Sequence, residues 1–343
     1  MNRRRAALSW FACFVAAASG AASLRAQPAP PAANAGAPAA AGLPNDDVVV
    51  ARVNGEFVPF REVRQQLAGV LQGRPIPLAI WPQLSAQALE QVIGRRLVSA
   101  EMKRRGLKPT AEELKQAEEN FTKNLTRRGI TRADYLKQNA LTEGDLEAVR
   151  TWEIGWNRFA KELLTDDLLE QFYNSHRRDF DGTELRVSHI LFRIEGHQDQ
   201  ATLAAATAKA NSVREAITSG ALKFADAAKQ YSTGPSREQG GDLGFIPRHE
   251  RMAEEFSAAA FALRVGEVSP PTTTPFGVHL ITVTEEKPGT IRWQAVREKL
   301  VAAAQPSLFR QLVAQLRPRM SVEYTDAIPH FDPTTGQIAP GRS

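Results

Sequence analysis

Two histidines stand where their side chains could act together. His189 lies in the alternating run Val187-Ser188-His189-Ile190-Leu191, and His279 precedes Ile281 and Val283 on the same face of a second run, so each has apolar same-face neighbours. Taken singly, either fits a hydrogen-bonded core histidine. Two in matching settings point to a paired site. The chain has six histidines but no HExxH, CxxC, GxSxG or Walker loop, which removes the usual sequence support for metal-dependent hydrolysis, serine acyl transfer and nucleotide binding. Its single cysteine, Cys13, falls in an apolar N-terminal stretch, so the mature chain is expected to have no thiol chemistry.

Around the histidines, separated motifs follow in a fixed order: Val187 to Leu191, Gln230-Tyr231-Ser232, Gly240-Gly241-Asp242-Leu243-Gly244, Phe256 leading to Phe261-Ala262-Leu263, and Phe276-Gly277-Val278-His279. With these, Glu184 to Glu286 resembles the parvulin family of peptidyl-prolyl isomerases. The resemblance implies that His189 and His279 form a hydrogen-bonded pair and that Thr274 supplies a hydroxyl near the second. It also implies a proline-holding pocket of Leu243, Met252 and Phe256, with no metal and no cofactor. One position departs. Gly234, in Ser232-Thr233-Gly234-Pro235-Ser236, stands where relatives carry Cys or Asp, and this bears on the strength of catalysis more than on its existence.

Those residue types suit the implied reaction. Rotation about a prolyl C–N bond faces a barrier of roughly 18 to 20 kcal/mol, and no proton or electron pair leaves the substrate. The planar amide is the more charge-separated state, so an apolar grip on the proline ring favours the twisted transition state by differential binding. Each ~1.4 kcal/mol of that preference is tenfold in rate.

The elements that must position these residues are of two kinds. Val48 to Val53, Asn54-Gly55 and Phe57-Val58 read as a hairpin. From Pro59 to about Arg178 apolar residues recur at three and four, as in Leu89, Val92, Ile93 and Leu97, and Thr110, Thr131 and Thr142 each precede an acid three residues on, the pattern of helix N-caps. The Lys103-Arg104-Arg105 cluster reads as a solvated helix end, and Trp152 with Trp156, one turn apart, reads as core packing, although a groove for apolar peptide would use the same residues. At Glu184 the period becomes alternating. A strand is followed by helices over 203–217, 224–231 and 254–263 and by paired strands near Val268 and over 278–284. A last helix, about 293–316, should be kinked or split by Pro306, and the strand 320–324 after it lacks a local partner and is expected to return to the N-terminal hairpin.

The fold class expected is therefore α+β: a helical chaperone-like N-domain completed by a C-terminal helix, plus one parvulin domain with an antiparallel sheet and surrounding helices. The expected boundaries are a signal peptide at 1–26, an Ala/Pro-rich linker at 27–45, the helical domain at 46–182, the parvulin domain at 183–288, the returning helix and strand at 289–325 and a tail at 326–343. The signal rests on Arg3-Arg4-Arg5 ahead of an acid-free apolar run, too short to span a bilayer. Arg3, Arg4, Arg5 and Arg25 leave with it, so the 43 Lys and Arg fall to 39 against 38 Asp and Glu. The pI near 9.4 is then no sign of nucleic-acid binding. Taken whole, the mature chain resembles the SurA-like periplasmic chaperone isomerases. That implies a periplasmic or otherwise exported protein whose partners are unfolded or proline-containing polypeptides of the cell envelope. Two functions are open on this reading: an isomerase acting on exported chains, or a holdase whose parvulin domain is weakly active or inactive and serves peptide binding.

Overall fold

The computed structural model describes residues 43–71, 78–139, 141–194 and 200–341. The signal expected at 1–26 and most of the linker expected at 27–45 lie outside the described residues. The described chain forms two compact units, one from residues 43–165 with 303–341 and one from residues 166–302.

The first unit opens with β1 (Val49–Val53) and β2 (Glu56–Pro59), paired antiparallel. Between them Asn54 and Gly55 both sit in the left-handed region, at φ 52° and 81°, which is what a two-residue turn needs to match the strand twist. Helices α1 (Phe60–Leu71), α2 (Trp81–Arg104), α3 (Ala111–Arg128), α4 (Arg132–Asn139) and α5 (Glu143–Leu163) follow. Thr110 with Glu113 and Thr142 with Asp145 form reciprocal capping boxes that fix where α3 and α5 begin. Phe60, Leu89, Ile93, Leu97 and Phe159 are fully buried, each contributing roughly 1.5–3 kcal/mol of transfer free energy. The basic end of α2 is exposed, as its sequence suggests, and Arg104 and Arg105 both bond from there to the buried Glu101, at 2.7 and 2.6 Å.

The second unit starts earlier than the expected break at 182/183. Helix α6 (Asp166–Ser175) and the short α7 (Arg177–Phe180) belong to it. The physical reason is long-range bonding: Arg178 donates to the Phe261 and Leu263 carbonyls at 3.1 and 2.7 Å, and the Tyr173 hydroxyl donates to the Ile291 carbonyl at 2.5 Å. After α7 come β3 (Glu184–Arg193), α8 (Gln200–Thr218), α9 (Phe224–Tyr231), β4 (Asp242–Pro247), α10 (Glu254–Ala262), β5 (Thr272–Thr274) and β6 (Gly277–Lys287). The strands form one antiparallel sheet in the order β4-β3-β6-β5. The edge strand is thus Thr272–Thr274; Val268, where a strand was expected, makes an isolated bridge to Thr282. Each face of the sheet carries its own cluster. Leu185, Val187, Ile281 and Val283 pack with Phe256 and Phe261 of α10 on one side, and Ile190, Phe192, Val278 and Leu280 pack with Ala210, Val213, Ala227 and Ala228 of α8 and α9 on the other.

Helix α11 (Arg297–Leu316) runs without a break through Pro306, which corrects the expected split. The helix forgoes one ladder bond there, since Pro306 offers no N–H to the Ala302 carbonyl. The change of unit falls at 302/303 rather than at the expected 288/289. The second half of α11 crosses α2 closely: a Cβ on Gly94 would lie 3.0 Å from Val313 and 3.2 Å from Phe309. β7 (Val322–Tyr324) then pairs antiparallel with β1, completing a three-stranded sheet, and the Tyr324 hydroxyl donates to Glu90 of α2 at 2.6 Å. The segment expected as a tail is ordered through β8 (His330–Phe331) and β9 (Ile338–Ala339), with Ile328 and His330 buried.

Candidate functional site

β3 and β6 are the central pair of the second unit's sheet, and their register sets the site. His189 is opposite Ile281 and Leu191 is opposite His279, so the two imidazoles are diagonal neighbours on the face that carries Phe256. The separation is one that long side chains bridge. Nδ1 of His189 and Nδ1 of His279 are 3.2 Å apart, and the rings stack with centroids at 5.4 Å. On the far side of the second ring, Nε2 of His279 meets the Thr274 hydroxyl at 2.8 Å. Thr274 lies on β5, whose partner β6 carries His279, and it accepts the Phe276 N–H at 3.1 Å across the turn between them.

The pair is buried, with His189 7% and His279 5% exposed. Burial lowers the pKa of both to about 4, and the neighbouring ring adds to the effect on His279. Both imidazoles are neutral at pH 7, each with one N–H to place. The assignment that uses the shortest contacts has Thr274 donating to Nε2 of His279, whose Nδ1–H donates to Nδ1 of His189. The remaining proton then sits on Nε2 of His189. That atom is buried and has no hydrogen-bond partner among the described residues.

Phe256 of α10 closes this chain from above. Its ring meets His189 edge-on at 5.8 Å and His279 at 5.3 Å, and Phe256 is 3% exposed. Leu243 and Met252, half-buried, pack against the same cluster. All six residues singled out from sequence are therefore gathered on one face of the sheet. Gly234 is beside them: a Cβ there would be 3.2 Å from the unpartnered Nε2 of His189 and 3.4 Å from the Ser232 hydroxyl. Gly234 thus abuts the unpartnered ring nitrogen of the pair.

Two positioning residues had no role assigned from sequence. Ser232 accepts the N–H groups of Leu191 and Gly234 at 3.1 and 3.2 Å, tying the Gly234 loop to β3. Gly241 has φ 86° and comes so close to β3 that a Cβ would lie 2.3 Å from the His189 carbonyl, while its own carbonyl accepts the His189 N–H at 2.9 Å. The signal that could have found it is the adjacency of Gly240-Gly241 to the motif Asp242-Leu243-Gly244. Asp242 in turn is drawn to Arg186 at 2.8 Å and accepts the Gly244 N–H at 2.9 Å, which holds its carboxyl below the usual range and fixes the loop bearing Leu243.

Compared with known proteins, residues 172–287 match the family described as the PPIC-type PPIase domain. The foldase protein PrsA of Caldanaerobacter subterraneus subsp. tengcongensis is 27% identical over 68% of this chain and 72% of its own length. The chaperone SurA of Cupriavidus metallidurans is 40% identical over 41% of this chain, which spans 28% of that protein. Among solved structures, a peptidylprolyl isomerase (PrsA) from Bacillus anthracis is 22% identical with a TM-score of 0.37, covering 67% of this chain and 96% of its own.

Proposed function

We propose that the chain, whose residues 172–287 match the PPIC-type PPIase domain, isomerises Xaa-Pro bonds in exported, incompletely folded polypeptides while its helical unit holds them. The observation that carries the reading is the continuous chain Thr274–His279–His189 lying under the Phe256 ring. In this reading Leu243, Met252 and Phe256 grip the proline ring and exclude water from the amide. The neutral histidine pair and Thr274 keep the floor of the pocket in one arrangement. An uncharged floor suits a transition state less charge-separated than the planar amide. The rotation transfers no group and calls for no metal or cofactor. Export to the periplasm or another extracytoplasmic space is part of the proposal. It rests on the signal-like residues 1–26 and on the SurA and PrsA names of the relatives.

The second reading, a holdase with a weak isomerase domain, has one observation in its favour: Nε2 of His189, beside Gly234, has no hydrogen-bond partner among the described residues. A proline-tetrapeptide isomerisation assay on the mature chain separates the two. Acceleration of cis–trans exchange supports the enzyme, and an uncatalysed rate with intact suppression of client aggregation hands the domain to peptide binding.

A further inference from the structure

The helical unit carries an open-mouthed cavity of about 840 Å³ that the histidine site does not use. One wall is a face of α2 with Arg95, Ser99 and Lys103 four residues apart, and another is α5 with Asp145, Val149 and Trp152 at steps of four and three. Its charges differ in what they already hold. Glu56 and Glu62 are both engaged by Arg96, Asp145 accepts the Thr142 N–H and hydroxyl at 2.8 and 2.6 Å, and Arg104 is drawn to Glu101. The acids of the cavity are thus satisfied by its own residues.

Two cations are not. Arg95 donates to the side-chain oxygen of Gln66 at 3.1 Å and lies 5.7 Å from the Trp152 ring centre, with no carboxylate in ion-pair range among the described residues. Burial disfavours its charge, so a guanidinium that remains ionised there has N–H groups seeking an anion. Lys103 likewise makes no ion pair among the described residues. Eight residues of helix separate the two, about 12 Å, the reach of about four residues of extended chain.

We propose that this cavity takes an extended segment of unfolded polypeptide bearing carboxylates beside an apolar side chain, with Arg95 and Lys103 pairing the carboxylates and Trp152 and Val149 receiving the apolar group. The proposal rests on the reading of the helical unit as the part that holds clients, and it names the segments that unit prefers.

The test is fluorescence anisotropy on the mature full chain with two labelled peptides of one apolar sequence, one carrying two Glu and the other Gln at the same places. The Glu peptide is expected to bind about tenfold tighter at low salt, with the difference shrinking as salt rises. Arg95→Gln should abolish the preference. Lys103→Gln, at an exposed side chain, should reduce it about threefold with the fold untouched, and both variants should keep tetrapeptide isomerisation. Equal affinity for the two peptides, with client aggregation still suppressed, would overturn the acidic preference alone. A preference that survives both substitutions would remove these residues from the site. A dimer in sedimentation equilibrium that Arg95→Gln abolishes would give the cavity to a second copy and overturn the proposal. Failure of either peptide to bind, together with loss of aggregation suppression, would bring down the client-holding reading itself.

Discussion

A buried neutral histidine pair makes stability a function of pH with a definite sign. The folded pKa values, about 4, lie below the ordinary 6.5, so the unfolded chain binds more protons in acid. The stabilisation is complete above pH 6.5 and is lost as pH falls from there towards 4. The urea midpoint of the isomerase unit should drop steadily across that window; a flat midpoint would contradict burial of two uncharged rings. Gly234 supplies a second test at this scale. Gly234→Asp places a carboxylate beside Nε2 of His189 and should raise the His189 pKa well above 4, read by imidazole NMR titration. A tetrapeptide rate that rises with it would show that Gly234 limits catalysis in the wild type. Phe256→Ala should cut isomerisation more than about tenfold and leave suppression of client aggregation nearly intact. Because Phe256 is buried, the truncation also costs about 3–5 kcal/mol, and a melting curve must accompany the rate. An equal rate in a folded variant would take Phe256 out of the pocket.

Secondary-structure elements were legible in proportion to how local their causes are. The Asn54-Gly55 turn and the Thr110/Glu113 and Thr142/Asp145 caps are decided by neighbours within a few residues, and all three are where the sequence places them. The histidine pair was legible for another reason: two isolated polar residues in apolar alternation demand a mutual partner. What escaped was decided at a distance. β5 has three threonines and no periodicity of its own, and Pro306 is tolerated because α11 is held by packing against α2. The start of the second unit depends on Tyr173 and Arg178 reaching residues 261, 263 and 291, which no local signal announces. This gives a prediction about fragments. Residues 166–302 should melt at least ~5 °C above residues 183–288 in circular dichroism, since the shorter piece loses three long-range hydrogen bonds worth roughly 1 kcal/mol each. Equal melting temperatures would show that α6 and α7 ride on the unit without supporting it.

At the scale of the molecule, the isomerase unit is one continuous stretch while the helical unit is assembled from both ends of the chain. Refolding from urea should therefore restore tetrapeptide turnover before it restores the fluorescence of Trp81, Trp152 and Trp156, all in the helical unit. Loop closure lies behind the delay: β7 must find β1, and the Thr325 contact to Val49 spans 276 residues. Simultaneous recovery of the two signals would mean that the units fold as one. The same pairing sets a timetable when the chain is delivered from its N-terminus, at a ribosome or through a secretion pore. The stretch that completes the rotamase is out by residue 302, whereas the strand that seals the groove-bearing half ends at residue 324. At roughly 5–20 residues per second the second half trails by ~1–4 s. For that interval a finished prolyl isomerase is tethered to an unfinished neighbour, and the first polypeptide within its reach is its own.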